Sequence, residues 1–337
     1  MPAIVTGAGG HLGATLVRAL LARGERVKAV DLSAGPGLEG LDVEVFEGDI
    51  RDAAFLASVM AEGDTLFHLA SVISTSGDKG GLVPSVNVEG ARAVARAAAA
   101  AGVRRMVHTS SVHAFDIDTH GAPVTEATPL AIGRSSSAYN VSKAEGQLAV
   151  LEEAAKGGLE VVVIHPCGVI GPYDYKPSRM GKFFRAVLRG NIGRVGPGGF
   201  NWVDVRDVAE GALQAMDKGR PGESYILGGH WNTNVALGRL AQEVTGKPVP
   251  PQPIPMWFLR VLYRAGPVLE RMGQRPPVTK EALDALTANP EMSSAKAERE
   301  LGYTRRPVED TVRGIYAWLE AEDIVAKERA RRKAKAA

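Results

Sequence analysis

The chain has 337 residues, enough for a full core and, at roughly 100–200 residues each, about two domains. Hydrophobic residues make up 45% and charged residues 23%, an ordinary globular balance; the single cysteine, Cys167, excludes an internal disulfide framework and a Cys-rich metal site. The net charge is +2, and no run approaches about 18 uncharged apolar residues, which excludes a transmembrane helix. Much of the positive charge sits in "KERARRKAKAA" at 327–337, with six basic residues and one acidic. Such a run touches nucleic acid or an anionic membrane in some proteins, but without interleaved aromatics it reads as a solvated helix end. Neither nucleic acid nor stable membrane insertion is therefore expected. The opening "MPAIVTG" enters an apolar strand at once and leaves no room for a leader, so a cytoplasmic setting is expected.

The first elements form a βαβ unit. "AIV" is a short β-branched run, and "TGAGGHLG" follows it with glycines at 7, 9, 10 and 13. After the loop, Leu12, Leu16 and Leu20 recur every four residues on one face of a helix that Gly24 ends. "RVKAVD" then reads as a strand finishing at Asp31, close to the roughly 20-residue spacing of a dinucleotide fingerprint. Gly7, Gly10 and Gly13 fit G-x-x-G-x-x-G, whereas G-x-G-x-x-G would need glycine at Leu12. A P-loop would need a lysine, and the loop has none. What remains is either a turn whose backbone approaches a pyrophosphate at a helix N-terminus or a plain turn.

Further along, strands are expected near 3–6, 26–31, 43–47, 64–68, 104–109 and 159–164, and helices near 11–23, 52–61, 84–101 and 138–156. This alternation predicts an α/β fold with a doubly wound parallel sheet. The Ala-rich run "EGARAVARAAAAAG" predicts a helix that packs closely on the sheet or on another subunit. Beyond residue 170, "GPYDYKPSRMG" and "GRVGPGGFNW" read as Gly/Pro-rich loops around a helix near 179–189, and "ESYILGG" returns a strand to the sheet. The remainder reads as mostly helical, with "PVPPQPIP" at 248–255 as a stiff linker.

The chemistry is written in "VHTSSVHAF" and, about thirty residues later, "SAYNVSKAEGQ". Tyr139 and Lys143 stand four apart, on one helix face, in the only Tyr-x-x-x-Lys of the chain. An ammonium beside a phenol favours the phenolate and lowers its pKa toward working pH, which makes tyrosine a usable proton carrier. Ser111, at a strand's C-terminal end, can hydrogen-bond the reacting oxygen. By chance alone the pair is a frequent surface spacing; the order of loop, Ser-Ser strand end and helix is what gives it weight. No histidine pair such as H-x-x-x-H is present, so no metal is expected. His68 and His165 read as core groups, and Cys167 as a small buried residue. His113 is expected on the same side of an extended segment as Ser111, as a substrate contact. "MWFLRVLYRAGPVLERM" reads as a lid over an apolar substrate rather than a membrane-contacting helix, since Arg260 and Arg264 interrupt it.

These motifs together resemble the extended short-chain dehydrogenase/reductases, the NAD-dependent epimerase/dehydratase group. The matching stretches are "TGAGGHLG", "GDIRD", "LFHLAS", "NVEGARAV", "TSSVHAF", "YNVSK", "HPCGVIGP", "NWVDVRDVAEG" and "AERELGYTRRPVEDTV". "HPCGVIGPYDYKPS" and "FNWVDVRDVAEG" are most similar to the dihydroflavonol-reductase-like and 3β-hydroxysteroid dehydrogenase-like branch. The resemblance implies a Rossmann domain at 1–170 with 201–229 returning to it. It also implies a smaller, mostly helical substrate-binding domain at 171–200 and 230–325, and a basic tail at 326–337. It makes Ser111, Tyr139 and Lys143 the catalytic trio, with Tyr139 and Lys143 also at the cofactor. Gly7, Gly10, His11, Leu12 and Gly13 would hold the pyrophosphate, Asp31 the adenosine ribose, and Asp49 and Ile50 the adenine. Leu69 and Ala70 would border the cofactor's middle, Pro166 and Val169 the nicotinamide, and Asn87 would brace the site. Ser71, His113, Tyr173 and Asn201 are candidate substrate contacts.

Asp31 would accept from the ribose hydroxyls and repel a 2′-phosphate, so NAD is expected over NADP; a solvated turn aspartate is the plain alternative, and Arg51 and Lys28 lie nearby in sequence. The expected activity is hydride transfer between nicotinamide and a carbinol or ketone carbon of a small, partly apolar substrate. A nucleotide-sugar epimerase or dehydratase with tightly bound NAD is the alternative, weakened because "GGFNWVDV" lacks the Arg-Asp-aromatic pattern of that group. A catalytically silent cofactor-sensing protein is a third reading, opposed by the presence of both Tyr139 and Lys143. The resemblance also implies a homodimer paired through the helices near 84–101 and 138–156.

Overall fold

The computed structural model describes residues 2–74, 77–117, 123–133, 137–271, 278, 283 and 291–324. The basic tail at 326–337 lies outside them. The chain divides into two compact units. The first comprises Met1–Cys167, Val205–Gly228 and Pro290–Arg305; the second comprises Gly168–Asp204, Gly229–Asn289 and Arg306–Ala337. Residues 168–170, 201–204, 229 and 290–305 therefore fall in the opposite unit from the one the family resemblance implies.

Elements are numbered along the chain. In the first unit β1 (Ala3–Thr6), α1 (His11–Ala22), β2 (Val27–Asp31), β3 (Glu44–Glu47), α2 (Ala53–Val59) and β4 (Thr65–His68) come first. A composite helix follows: α3 (Leu82–Pro84), a π-helical turn (Ser85–Gly90) and α4 (Ala91–Ala100). Then come β5 (Arg105–Thr109), α5 (Ala138–Gly157) and β6 (Glu160–Pro166), and later α7 (Val205–Lys218), β9 (Ser224–Leu227) and α10 (Ala295–Leu301).

Among the described residues seven strands form one sheet in the order β3-β2-β1-β4-β5-β6-β9, every neighbour parallel. Helices cover both faces, the doubly wound Rossmann arrangement, and the central strands accordingly carry continuous apolar runs, as in "EVVVIHP". On one face Ile4, Leu66, Met106 and Val161 meet Leu56, Val94, Ala98 and Val150 of α2, α4 and α5. The alanines of α4 permit this closeness: Ala91, Ala95 and Ala98 are buried, and a Cβ on Gly157 would fall 2.4 Å from the Ala99 methyl. α1 lies beside α7, where Arg23 pairs with Glu210 at 3.3 Å and Asp217 at 3.1 Å. α10 is tied to the edge strand β9. Lys296 Nζ reaches Glu223 at 2.6 Å and the Ser224 carbonyl at 2.9 Å, which explains why 290–305 belong to this unit.

The second unit contains β7 (Gly168–Ile170), α6 (Arg179–Leu188), β8 (Gly199–Asp204), β10 (His230–Thr233), α8 (Asn234–Thr245), α9 (Met256–Arg271) and α11 (Val308–Ala321). Among its described residues three strands form a small sheet, β8 running parallel to β7 and antiparallel to β10. "GFNWVD" is thus a strand rather than the loop its glycine suggests. Phe184 and Val187 of α6, Leu237 and Ala241 of α8, and Val312, Ile315 and Tyr316 of α11 build its core. Among the described residues no helix is long and apolar enough to cross a membrane.

Candidate active site

The glycine-rich loop joins β1 to α1 at the C-terminal end of the sheet. Gly7 has φ +71°, a left-handed conformation that favours glycine, and a Cβ there would come within 2.8 Å of the Ala70 amide nitrogen. A Cβ on Gly13 would strike the Gly7 carbonyl at 2.1 Å. The loop therefore packs on the Leu69–Ala70 backbone, the segment that the family resemblance implies beside the cofactor's middle. Thr6 Oγ1 locks that approach, accepting from the Leu69 N–H at 3.2 Å and lying 2.7 Å from His68 Nδ1. Gly10 begins α1 with no side-chain cap, which leaves His11, Leu12 and Gly13 on a helix N-terminus of positive partial charge.

Asp31 stands at the end of β2 with both carboxylate oxygens turned to backbone. Oδ2 accepts from the Gly9 N–H at 2.9 Å and Oδ1 from the Leu32 N–H at 2.8 Å. The two cations near it in sequence are engaged elsewhere: Lys28 pairs with Asp64 at 2.9 Å, and Arg51 pairs with Asp49 at 2.6 Å and donates to Ser85 at 3.0 Å. The Arg51 hydrogen bond holds the Asp49 carboxyl below its usual range. Ile50 is buried, and the missing side chain of Gly90 makes room for it: a Cβ there would lie 2.9 Å from Ile50 Cδ1.

Beyond β5, the expected extended segment is instead a 3₁₀ turn, Val112–Ala114, capped by the Ser111 hydroxyl, which accepts from the His113 N–H at 3.2 Å. His113 therefore does not follow Ser111 on a strand face. The turn rotates it so that its ring meets the Tyr139 ring edge-on at 6.0 Å. Tyr139 and Lys143 share one face of α5 as their spacing predicts, and the Ser111 hydroxyl acts on the phenol to favour its ionised form. The direction of the phenol's pKa is opposite to the expected one. Desolvation raises Tyr139 to about 12, outweighing the Ser111 hydroxyl, which favours the phenolate. Lys143 is itself desolvated and lowered to about 8, and its Nζ donates to the Thr109 carbonyl at 2.8 Å.

Asn87, in the π-helical turn, is 4% exposed and gives its whole amide to bracing. Oδ1 accepts from the Val72 N–H at 2.7 Å, while Nδ2 donates to the Val72 carbonyl and to Ser142 Oγ, each at 3.0 Å. Ser142, His108 and the Thr109 carbonyl were not singled out by sequence. His108 stacks on His68 at 5.3 Å, and only "YNVSK" and "HTSS" carry any trace of the other two. His68 and His165 are buried, and desolvation lowers them to about 3 and about 4; Cys167 is buried with its thiol pushed up. Ser71 follows the Leu69–Ala70 backbone in the first unit, and Pro166 ends β6 opposite Leu227. Val169, Tyr173 and Asn201 belong to the second unit. There Tyr173 takes φ +67° with its ring 6.2 Å from Trp318, and Asn201 Oδ1 accepts from the Gly229 N–H at 2.5 Å.

Residues 3–228 match the profile of the NAD dependent epimerase/dehydratase family. The chain belongs to that family. A sterol demethylase protein B from Methylococcus capsulatus is 34% identical over 96% of this chain and 100% of its own length. A 3 beta-hydroxysteroid dehydrogenase/Delta 5-->4-isomerase from Mycobacterium tuberculosis is 30% identical over 89% of this chain and 85% of its own. Among solved structures, a dTDP-glucose 4,6-dehydratase from Streptomyces venezuelae with NAD bound superposes with a TM-score of 0.77 at 26% identity, covering 95% of this chain and 97% of that one. This member of the epimerase/dehydratase family is accordingly an oxidoreductase-type enzyme with the family's NAD-dependent fold.

Proposed function

We propose that the protein is an NAD-dependent dehydrogenase or reductase acting on a secondary carbinol or ketone of a small, partly apolar substrate. The observation that carries this reading is the desolvated Tyr139 phenol, influenced by the Ser111 hydroxyl, one helical turn from the buried Lys143. The residues present fit the dinucleotide. Gly7 and Gly13 keep side chains out of the loop, the uncapped start of α1 suits a pyrophosphate, and Asp31 suits ribose hydroxyls. Nicotinamide, when bound, supplies or takes the hydride.

The chain's own residues handle the proton. Tyr139 carries it at the phenolic oxygen, and Ser111 holds the substrate oxygen whose charge changes. Lys143 holds the ribose and, as the neighbouring cation, favours the phenolate. A phenol at about 12 waits protonated, ready to donate in the reductive direction. Asn87 fixes the loop after β4, where Ser71 lies, against α5.

The second unit supplies substrate contacts in this reading, with Tyr173 and Asn201 among them and α9 as a lid. α9 exposes Trp257 and Val261, suited to an apolar ligand, and two relatives bear sterol or steroid names. NAD is the preferred cofactor, the setting cytoplasmic, and the assembly a homodimer through α4 and α5, where Leu148 is exposed. Light scattering at the monomer mass would remove the dimer. The activity is tested by offering NAD with a panel of secondary alcohols that includes 3β-hydroxysteroids and following nicotinamide reduction. No turnover, together with NAD retained through purification, would favour an epimerase cycle instead.

A further inference from the structure

Asp31 and Glu47 end adjacent parallel strands and face each other in register. Glu47 is exposed, yet its Oε1 accepts from the Ala34 N–H at 2.8 Å. The Ala34 carbonyl stands 2.7 Å from where a Cβ on Gly9 would lie, and Asp31 Oδ2 holds the Gly9 amide. The glycine-rich loop, the acid ending β2, the turn after it and Glu47 thus form one connected cluster.

If Asp31 receives the adenosine ribose, the turn at 32–34 is the backbone that an added ribose phosphate would meet. Backbone N–H groups in such a turn are natural phosphate donors. Here the Ala34 N–H is already taken by a carboxylate, which fills the donor and leaves a second negative charge beside Asp31. The neighbouring cations offer no counterweight. Lys28 is bound to Asp64 and the Val59 carbonyl, Arg51 to Asp49, and Arg18 to the Ala14 and Gly37 carbonyls.

We propose that Glu47 is a second cofactor-selecting residue, which excludes a 2′-phosphate by occupying the Ala34 amide and by charge. This rests on the dinucleotide reading of the loop. The test is fluorescence titration of NADH and NADPH into wild type, Glu47→Gln and Glu47→Ala, at low and high salt. Glutamine retains an acceptor for Ala34 and drops the charge. NADH affinity should stay within about twofold in Glu47→Gln while NADPH tightens about fivefold, a gain that shrinks as salt screens the site. An unchanged NADPH-to-NADH ratio, or equal weakening of both in each variant, would overturn the proposal and leave Glu47 as a prop for the turn. Wild type that prefers NADPH overturns it while the dinucleotide site stands; wild type that binds neither nucleotide overturns the site reading as well.

Discussion

Asn87 Nδ2 donates to Ser142 Oγ at 3.0 Å, and the same hydroxyl donates to the Tyr139 carbonyl at 2.8 Å. The loop after β4 is thereby fastened to the first turn of α5. Asn87→Ala strands the Val72 N–H and carbonyl in a partly buried site and removes the bond to Ser142, so a loss of about 1–3 kcal/mol is expected. Urea unfolding measures it, and Ser142→Ala should lose about 1 kcal/mol. Equal stability of Asn87→Ala and wild type would mean that the brace is idle.

Tyr139→Phe removes one oxygen and keeps the ring against His113. Turnover should fall by about 10²–10⁴-fold, the value of a positioned proton-transfer group, with cofactor affinity retained. A fall of less than about fivefold on an identified substrate would show that Tyr139 is not the proton carrier.

Lys143→Met should abolish turnover and yet stabilise the fold. The folded lysine is lowered from 10.5 to about 8, so the folded state holds fewer protons than the unfolded state between those values. The cost of the buried charge is full below pH 8 and is relieved as pH rises toward 10.5. Near neutral pH the methionine variant should gain about 1–3 kcal/mol after losing the Thr109 hydrogen bond. Urea midpoints should converge as pH rises through that window; a variant less stable than wild type at neutral pH contradicts the argument.

Four histidines set the acid limit. Burial lowers His68 to about 3, His113 and His165 to about 4, and His108 well below 6.5. The unfolded chain takes up protons below 6.5 that the fold refuses, so stability is whole above that value and falls progressively toward pH 4. At pH 5 each histidine should withdraw about 1–2 kcal/mol. Unfolding midpoints that do not move between about pH 7 and 5 would refute the neutral burial of these rings.

The parallel sheet was legible because its central strands are buried on both faces and carry long apolar runs, as in "EVVVIHP". The small second sheet was not, since its glycines look like turn signals. Gly168 and Gly199 mark close strand approach instead: Cβ atoms there would lie 2.6 Å from the Phe200 ring and 2.5 Å from the Asn232 carbonyl. The Tyr139–Lys143 pair was readable from its spacing, whereas the rise of the phenol to about 12 depends on burial, which only the packed fold determines. Likewise nothing in "SVNVEG" announces a π-helical turn, although Asn87 sits within it.

The chain passes between its two units five times, and the fourth crossing returns residues 290–305 to the first. Ser294 Oγ accepts from the Gly228 N–H at 2.9 Å, the Tyr303 hydroxyl donates to the Gly228 carbonyl at 2.8 Å, and Lys296 holds Glu223. The family-matched span 3–228 consequently lacks part of its own edge. During synthesis, β9 emerges from the ribosome long before the helix that secures it, so the unit begun first is completed among the last. A fragment cut at Gly228 would expose that unfinished edge strand, with a hazard of aggregation in place of a working domain.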